Sequence, residues 1–192
     1  MKKTLIASAI AAALVAPQAF GQANNFTGFS LGLNANFVSA STERNPGSNK
    51  SGDTTQIANL EGAYGFSMGS SGALGLGLTY NLGDLKAGTL SGTEFKGKDM
   101  YSVYVAPGYV LNNAVWLYGK LAYLSMKGEA SPPTASANFD GVGYGAGARA
   151  SLSRNVYLQV EFMQSDYNKK SISGVDYKPS ATTGAIGLGY KF

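Results

Sequence analysis

Across its 192 residues the chain contains no histidine and no cysteine. The commonest general base, the commonest transition-metal ligand and the thiolate nucleophile are therefore all missing. Serine, aspartate and glutamate remain, but a serine nucleophile would lack its usual base. The chain is expected to be no enzyme and to need no metal or cofactor. The glycine-rich run from Gly141 to Gly147 invites comparison with a phosphate-binding loop, but it fails the GxGxxG spacing. Its strict alternation fits one face of a strand instead. The chemistry the sequence does offer is electrostatic. Glu61, Lys120, Arg149 and Glu161 each fall within a segment of alternating residues, on the side opposite its apolar side chains. Two acids and two bases sum to zero. In a narrow shared interior they are expected to pair as a structural network, because buried charges must be paired and hydrogen-bonded. The competing reading is that each lines a wet channel.

The elements that would position them follow from a period of two. From Phe29 to Phe37 the odd positions are Phe, Leu, Leu, Ala and Phe, and the even ones are Ser, Gly, Asn and Asn. Side chains alternate between the faces of a strand, so one face is apolar and the other polar or bare. The pattern recurs with Leu60 and Tyr64, Leu76 and Leu78, Val103 and Val105, Leu117 and Leu121, Val142 and Tyr144, Leu158 and Val160, and Leu188 and Tyr190. Eight segments of roughly ten to thirteen residues result, enough to cross a membrane as tilted strands. Abundant Gly (26), Tyr (12) and Phe (9), with only 14% charged residues, favour strands over helices. Connections alternate between short ones, near residues 68–72, 111–114 and 153–155, and long ones of about 40–54, 84–99, 126–140 and 166–180. The fold class expected is all-β, an eight-stranded antiparallel up-and-down transmembrane barrel, with short turns inside and long loops outside.

The first residues read as a targeting signal. Lys2 and Lys3 precede an apolar run from Leu5 to Val15, too short to span a bilayer as a helix. Ala19-Phe20-Gly21 fits the small-x-small cleavage rule. Residues 1–21 are thus expected to be a signal peptide and 22–192 the barrel domain; cleavage after Ala23 is the alternative, and an uncleaved anchor the competing reading. An even strand count places both termini on the periplasmic side of a cell outer membrane.

Charge placement follows the same logic. No charged residue falls on the expected outward face of a strand; most lie in the long connections. A Lys or Arg facing the lipid midplane costs about 2–4 kcal/mol. Large inward Tyr104, Tyr118 and Tyr157 need empty neighbours, which the inward glycines supply. Aromatic girdles are expected from Phe26, Phe66, Tyr109, Tyr190 and Phe192 at one interface and Phe37, Tyr80, Tyr101 and Tyr123 at the other. Trp116 has inward parity and no assigned role. Lys96, Lys98, Lys169, Lys170 and Lys178 could meet lipopolysaccharide phosphates or anionic host surfaces, although acids in the same connections favour a neutral rim. The small net charge, +4 including the leader, gives no nucleic-acid footprint.

The segment from Gly143 to Phe162 resembles the penultimate hairpin of the small OmpX-like outer-membrane barrels of Gram-negative envelopes, within the broad porin-family superfamily. The last segment, Gly184 to Phe192, is similar to their terminal strand. Its Ile186, Leu188, Tyr190 and Phe192 resemble the signal read by the barrel-assembly machinery. Glu61, Lys120, Arg149 and Glu161 resemble the interior network of the OmpA barrel domain. The resemblance implies a non-enzymatic role in envelope integrity or cell-surface interaction, with outer-membrane lipid, lipopolysaccharide, periplasmic chaperones and the assembly machinery as partners and no ligand named. An OmpW-like small-solute channel is the alternative. Barrel enzymes such as the lipid-A acyl-transfer and omptin families rely on His, which this chain lacks.

Overall fold

The computed structural model describes residues 22–45, 49–90, 93–111, 113–131, 135–172 and 175–192; the expected leader, residues 1–21, lies outside them. After a short 3-10 turn, Gln22–Phe26, the chain runs as β1 (Gly28–Asn45), β2 (Asn49–Met68), β3 (Gly72–Asn81), β4 (Leu85–Leu90), β5 (Thr93–Leu111), β6 (Val115–Ser131), β7 (Ala135–Ser151), β8 (Val156–Tyr167), β9 (Lys170–Ile172) and β10 (Val175–Lys191). The pairing order is β1-β2-β3-β5-β6-β7-β8-β10, and β10 returns to β1 from Ser30↔Lys191 to Asn45↔Asp176. Every pairing is antiparallel and the sheet is closed. β4 and β9 continue the staves begun by β3 and β8, pairing with β5 and β10 respectively. The result is an eight-stave up-and-down barrel, which leaves no open sheet edge across the membrane.

Outward positions through the lower half of the wall are apolar. Leu33, Leu60, Val103, Leu121, Val160 and Leu188 all stand exposed, as they must where the surrounding solvent is hydrocarbon. Tyr80, Tyr101 and Tyr123 end this band at one side, and Tyr64, Tyr109, Tyr190 and Phe192 lie toward the short-turn end.

The long connections expected at about 40–54, 84–99, 126–140 and 166–180 are, for the most part, strand. β1 and β2 stay paired as far as Arg44↔Asn49, and β5 and β6 as far as Glu94↔Ser131. The period of two continues, but its polarity inverts. In β1, Val38, Ala40 and Thr42 are buried inside while Ser39 and Glu43 are exposed. Outside the band the wall meets water rather than lipid, so apolar side chains turn inward. Such a segment lacks outward apolar residues and so resembles a loop in sequence. A β-bulge at Asp99, an exposed residue with φ 49°, marks the transition in β5: Lys98 and Tyr101 both point outward, against Lys127 and Ser125 of β6.

Beyond the band the barrel opens along two seams. β2 pairs with β3 only as far as Asn59↔Asn81, and among the described residues it makes no ladder with β4. Across that gap the Leu82 backbone N–H donates to the Ala58 carbonyl (2.8 Å) and the Lys86 N–H to Thr55 Oγ1 (3.3 Å). Likewise β7 pairs with β8 only to Gly141↔Tyr167, while β9 pairs with β10. Two sheets, β9-β10-β1-β2 and β4-β5-β6-β7, therefore face each other above the closed barrel.

Candidate functional site

Glu61, Lys120, Arg149 and Glu161 meet in the barrel interior, which is built in layers. At the short-turn end Phe26 tucks beneath the barrel, its ring centroid 6.0 Å from that of Trp116. It is buried, not part of an interfacial girdle as its position before β1 suggested, because the 3-10 turn folds it under the wall. Trp116 is 2% exposed and stacks 4.7 Å from Tyr118. With Ala106 and Val110 it fills the cross-section at this level.

Above this floor lie the charges. The Arg149 guanidinium pairs with Glu61 through Nη2 and donates from Nε to Gln159 Oε1 at 2.6 Å. Glu61 also accepts from Tyr104 Oη (2.7 Å), Gln159 Nε2 (3.0 Å) and Asn34 Nδ2 (3.3 Å). The guanidinium carbon stands 4.7 Å from the centroid of the Tyr157 ring and 5.2 Å from that of Trp116. A second pair lies one level higher. Lys120 Nζ donates to both Glu161 oxygens at 2.9 Å, sits 4.0 Å from the Tyr104 ring centroid, and shares Glu161 with Tyr118 Oη at 3.1 Å. Glu61, Lys120, Arg149 and Glu161 are thus brought together as two adjacent pairs. Asn34 and Gln159 complete the hydrogen bonding; the available signal was the alternation itself, which puts Asn34 on the polar side of β1 and Gln159 two residues before Glu161 in β8.

Space for the aromatic rings comes from direct cross-strand glycines: Gly77↔Tyr104, Gly147↔Tyr118 and Gly189↔Tyr157. A Cβ at Gly77 or Gly147 would stand 2.5 Å from the facing ring.

Above Glu161 the interior changes. A polar layer of Asn36, Asn59, Thr79 and Ser102 borders a cavity of about 70 Å³. Over it lies a second cavity of about 40 Å³, walled by Leu85, Met126, Phe139 and Tyr167 and roofed by Phe95 and Tyr177. Burial pushes the Tyr167 hydroxyl up to about 12, so it stays a neutral donor.

The rim lysines lie on outward faces and are engaged. Lys96 pairs with Glu94, Lys98 with Glu129, Lys169 with Asp176 and Lys170 with Asp140, while Lys178 stands opposite Glu43 in register. Hydrogen bonds from Lys98 and Lys127 hold the Glu129 carboxyl below its ordinary range, and those from Lys169 and Ser171 do the same for Asp176. Ile186, Leu188, Tyr190 and Phe192 point outward along β10, with Phe192 packed on Phe29 at 5.6 Å.

The outer membrane protein beta-barrel domain family matches residues 5–192. The chain belongs to that family. Its barrel is similar to three solved outer-membrane structures. Neisserial surface protein A (NspA) has a TM-score of 0.60 at 15% identity, covering 86% of this chain and 98% of that one. Ail of Yersinia pestis, in complex with the heparin analogue sucrose octasulfate, has a TM-score of 0.54 at 17% identity, covering 86% and 100%. OprG of Pseudomonas aeruginosa has a TM-score of 0.53 at 14% identity, covering 90% and 99%. At these identities the shared feature is the fold. No curated protein matches the sequence. Family and fold together make this an integral outer-membrane barrel.

Proposed function

We propose that this outer-membrane barrel is non-enzymatic and non-conducting, and acts through its surface in envelope integrity or cell-surface contact. The observation that carries the reading is the filled interior. Trp116 over Phe26, and the Arg149–Glu61 pair above them, occupy the cross-section with well-buried side chains. A barrel of eight strands is just wide enough for side chains to fill. With its lumen closed, the protein offers its environment an outer wall and a rigid two-sheet extension.

Several finer assignments belong to the same reading. Residues 1–21 act as a cleaved leader, and the mature chain begins at Gln22, next to the buried Ala23. Both termini lie at the short-turn end, which faces the periplasm, so the two-sheet extension projects outside. Ile186, Leu188, Tyr190 and Phe192 serve the assembly machinery and its chaperones. On the exterior wall Lys98 stands directly opposite Lys127, with Glu129 bridging the two, and Lys86 stands opposite Lys96, which pairs with Glu94. A polyanion such as lipopolysaccharide phosphate or a sulfated glycan would dock on this lysine cluster by taking the place of those two carboxylates. Ail's complex with sucrose octasulfate supports this chemistry.

A strain lacking the protein should lose detergent resistance or adhesion to heparin-coated surfaces. Restoring the barrel with Lys86, Lys96, Lys98 and Lys127 changed to Gln should recover the first and not the second. A deletion strain unchanged in both would contradict the surface role. The second reading, a small-solute channel, is favoured by the two cavities above Glu161.

A further inference from the structure

The space between the two sheets differs in kind from the lumen beneath it. Its walls are apolar although they stand outside the lipid band, where no hydrocarbon dictates their polarity. A water there needs two to four polar partners; Leu85, Met126 and Phe139 offer none, and the polar groups at this lining, Thr42 and Tyr167 among them, stand at its margins within a surface that is overwhelmingly apolar. Directly below, the polar groups are lightly partnered among the described residues: the Asn81 amide N–H reaches the Met100 sulfur at 3.7 Å, and Thr79 and Ser102 share one hydroxyl proton at 2.7 Å, which leaves the other hydroxyl proton to donate elsewhere. The two cavities share Leu85, Tyr167 and Ala181 as lining, so they are stacked against each other with these three side chains between them.

We propose that this two-level cavity is a binding site for a small neutral amphiphile, its apolar part under Phe95 and Tyr177 and its hydroxyl, carbonyl or amide head on the Asn81–Thr79–Ser102 layer. The head is neutral because every charge at the lining is already engaged. Lys120 is held by both oxygens of Glu161 and by the Tyr104 ring. Lys96 pairs with Glu94, and Glu129 with Lys98 and Lys127. A carboxylate head would meet Glu161 with no free cation to receive it. The unzipped seam between β2 and β4, where Ile57 and Leu85 line the lower cavity, is the route in. Below, the Lys120–Glu161 pair makes the site a dead end, so the occupant is retained rather than passed on.

The methionines supply the test. Met100 and Met163 line the lower cavity and Met126 the upper, while Met68 ends β2 at the short-turn end. Methyl-labelled methionine spectra of the barrel in lipid nanodiscs would be titrated with 1-hexanol and, separately, with hexanoate at pH 8. Hexanol should shift Met100, Met126 and Met163 saturably and leave Met68 in place, and hexanoate should bind at least tenfold more weakly. Ala181→Phe, which fills the upper cavity, should abolish the saturable shift, with Ala40→Phe as the second filling variant should the first not fold. Absent shifts, or a drift of all four methyls in proportion to hexanol without saturation, would overturn the site. Equal binding of hexanoate would overturn the neutral head.

Discussion

Phe95 of β5 and Tyr177 of β10 stand on staves that face each other across the barrel, yet their rings meet with centroids 5.3 Å apart. This contact joins the two sheets over the space they enclose. Aromatic pairs contribute about 0.5–1.5 kcal/mol beyond area burial. A double-mutant cycle of Phe95→Ala and Tyr177→Ala, read by urea unfolding in lipid vesicles, should give a coupling of that size. Strict additivity would mean that the sheets hold each other by other contacts.

Glu61→Ala leaves the Arg149 guanidinium buried without its carboxylate. Breaking one side of a buried pair costs about 3–5 kcal/mol, whereas replacing both partners with apolar groups is often near neutral. The single variant should therefore unfold at clearly lower urea, and Glu61→Ala combined with Arg149→Met should recover much of the loss. Lys120→Met should be destabilising through Glu161 and additive with neither. An unchanged midpoint for Glu61→Ala would show that the Arg149 guanidinium is satisfied without Glu61.

The glycines opposite the lumen tyrosines can be tested against one that faces outward. Gly77→Ala places a Cβ 2.5 Å from the Tyr104 ring and must push that ring off Glu61. Overpacking of this kind costs about 1–3 kcal/mol. A Cβ at Gly184 meets nothing within 4 Å. Gly184→Ala should be neutral or slightly stabilising, since alanine reduces the freedom of the unfolded chain. Equal losses at both positions would remove the packing argument.

Asp176 anchors the β9–β10 hairpin through Lys169 Nζ at 2.7 Å and the Ser171 hydroxyl. Those bonds lower its folded-state pKa. A depressed carboxylate stabilises the hairpin above its unfolded value of about 4 and loses that contribution as pH falls through the folded value. Amide exchange at Tyr177 should be equally slow at pH 7 and pH 5, after correction for intrinsic rates, and should accelerate toward pH 3. Asp176→Asn should remove the pH dependence. Fraying already at pH 6 would contradict the assignment.

The membrane half of the barrel was legible because lipid imposes one rule on every outward residue, as Leu33, Val103 and Leu188 illustrate. The extension was not. Val38 and Ala40 keep the period of two but point inward once the wall leaves the lipid, and the Asp99 bulge shifts the phase of β5. The four lumen charges could be chosen by parity, but their partners could not. Whether Glu61 meets Lys120 or Arg149 depends on how strands are staggered around the closed wall, a quantity no single segment carries. Phe26 looked interfacial because a 3-10 turn has no periodic signature; only the fold sets it beneath Trp116.

The claim on which most depends is that the lumen is closed. The direct measurement is single-channel conductance of the refolded barrel in a planar lipid bilayer, with folding verified beforehand by its heat-modifiable gel mobility. The wild-type protein should insert silently, and Trp116→Ala combined with Arg149→Ala, which empties the cross-section, should produce discrete steps. Stable steps from the wild-type barrel would contradict the closed lumen and make the small-solute channel the correct reading.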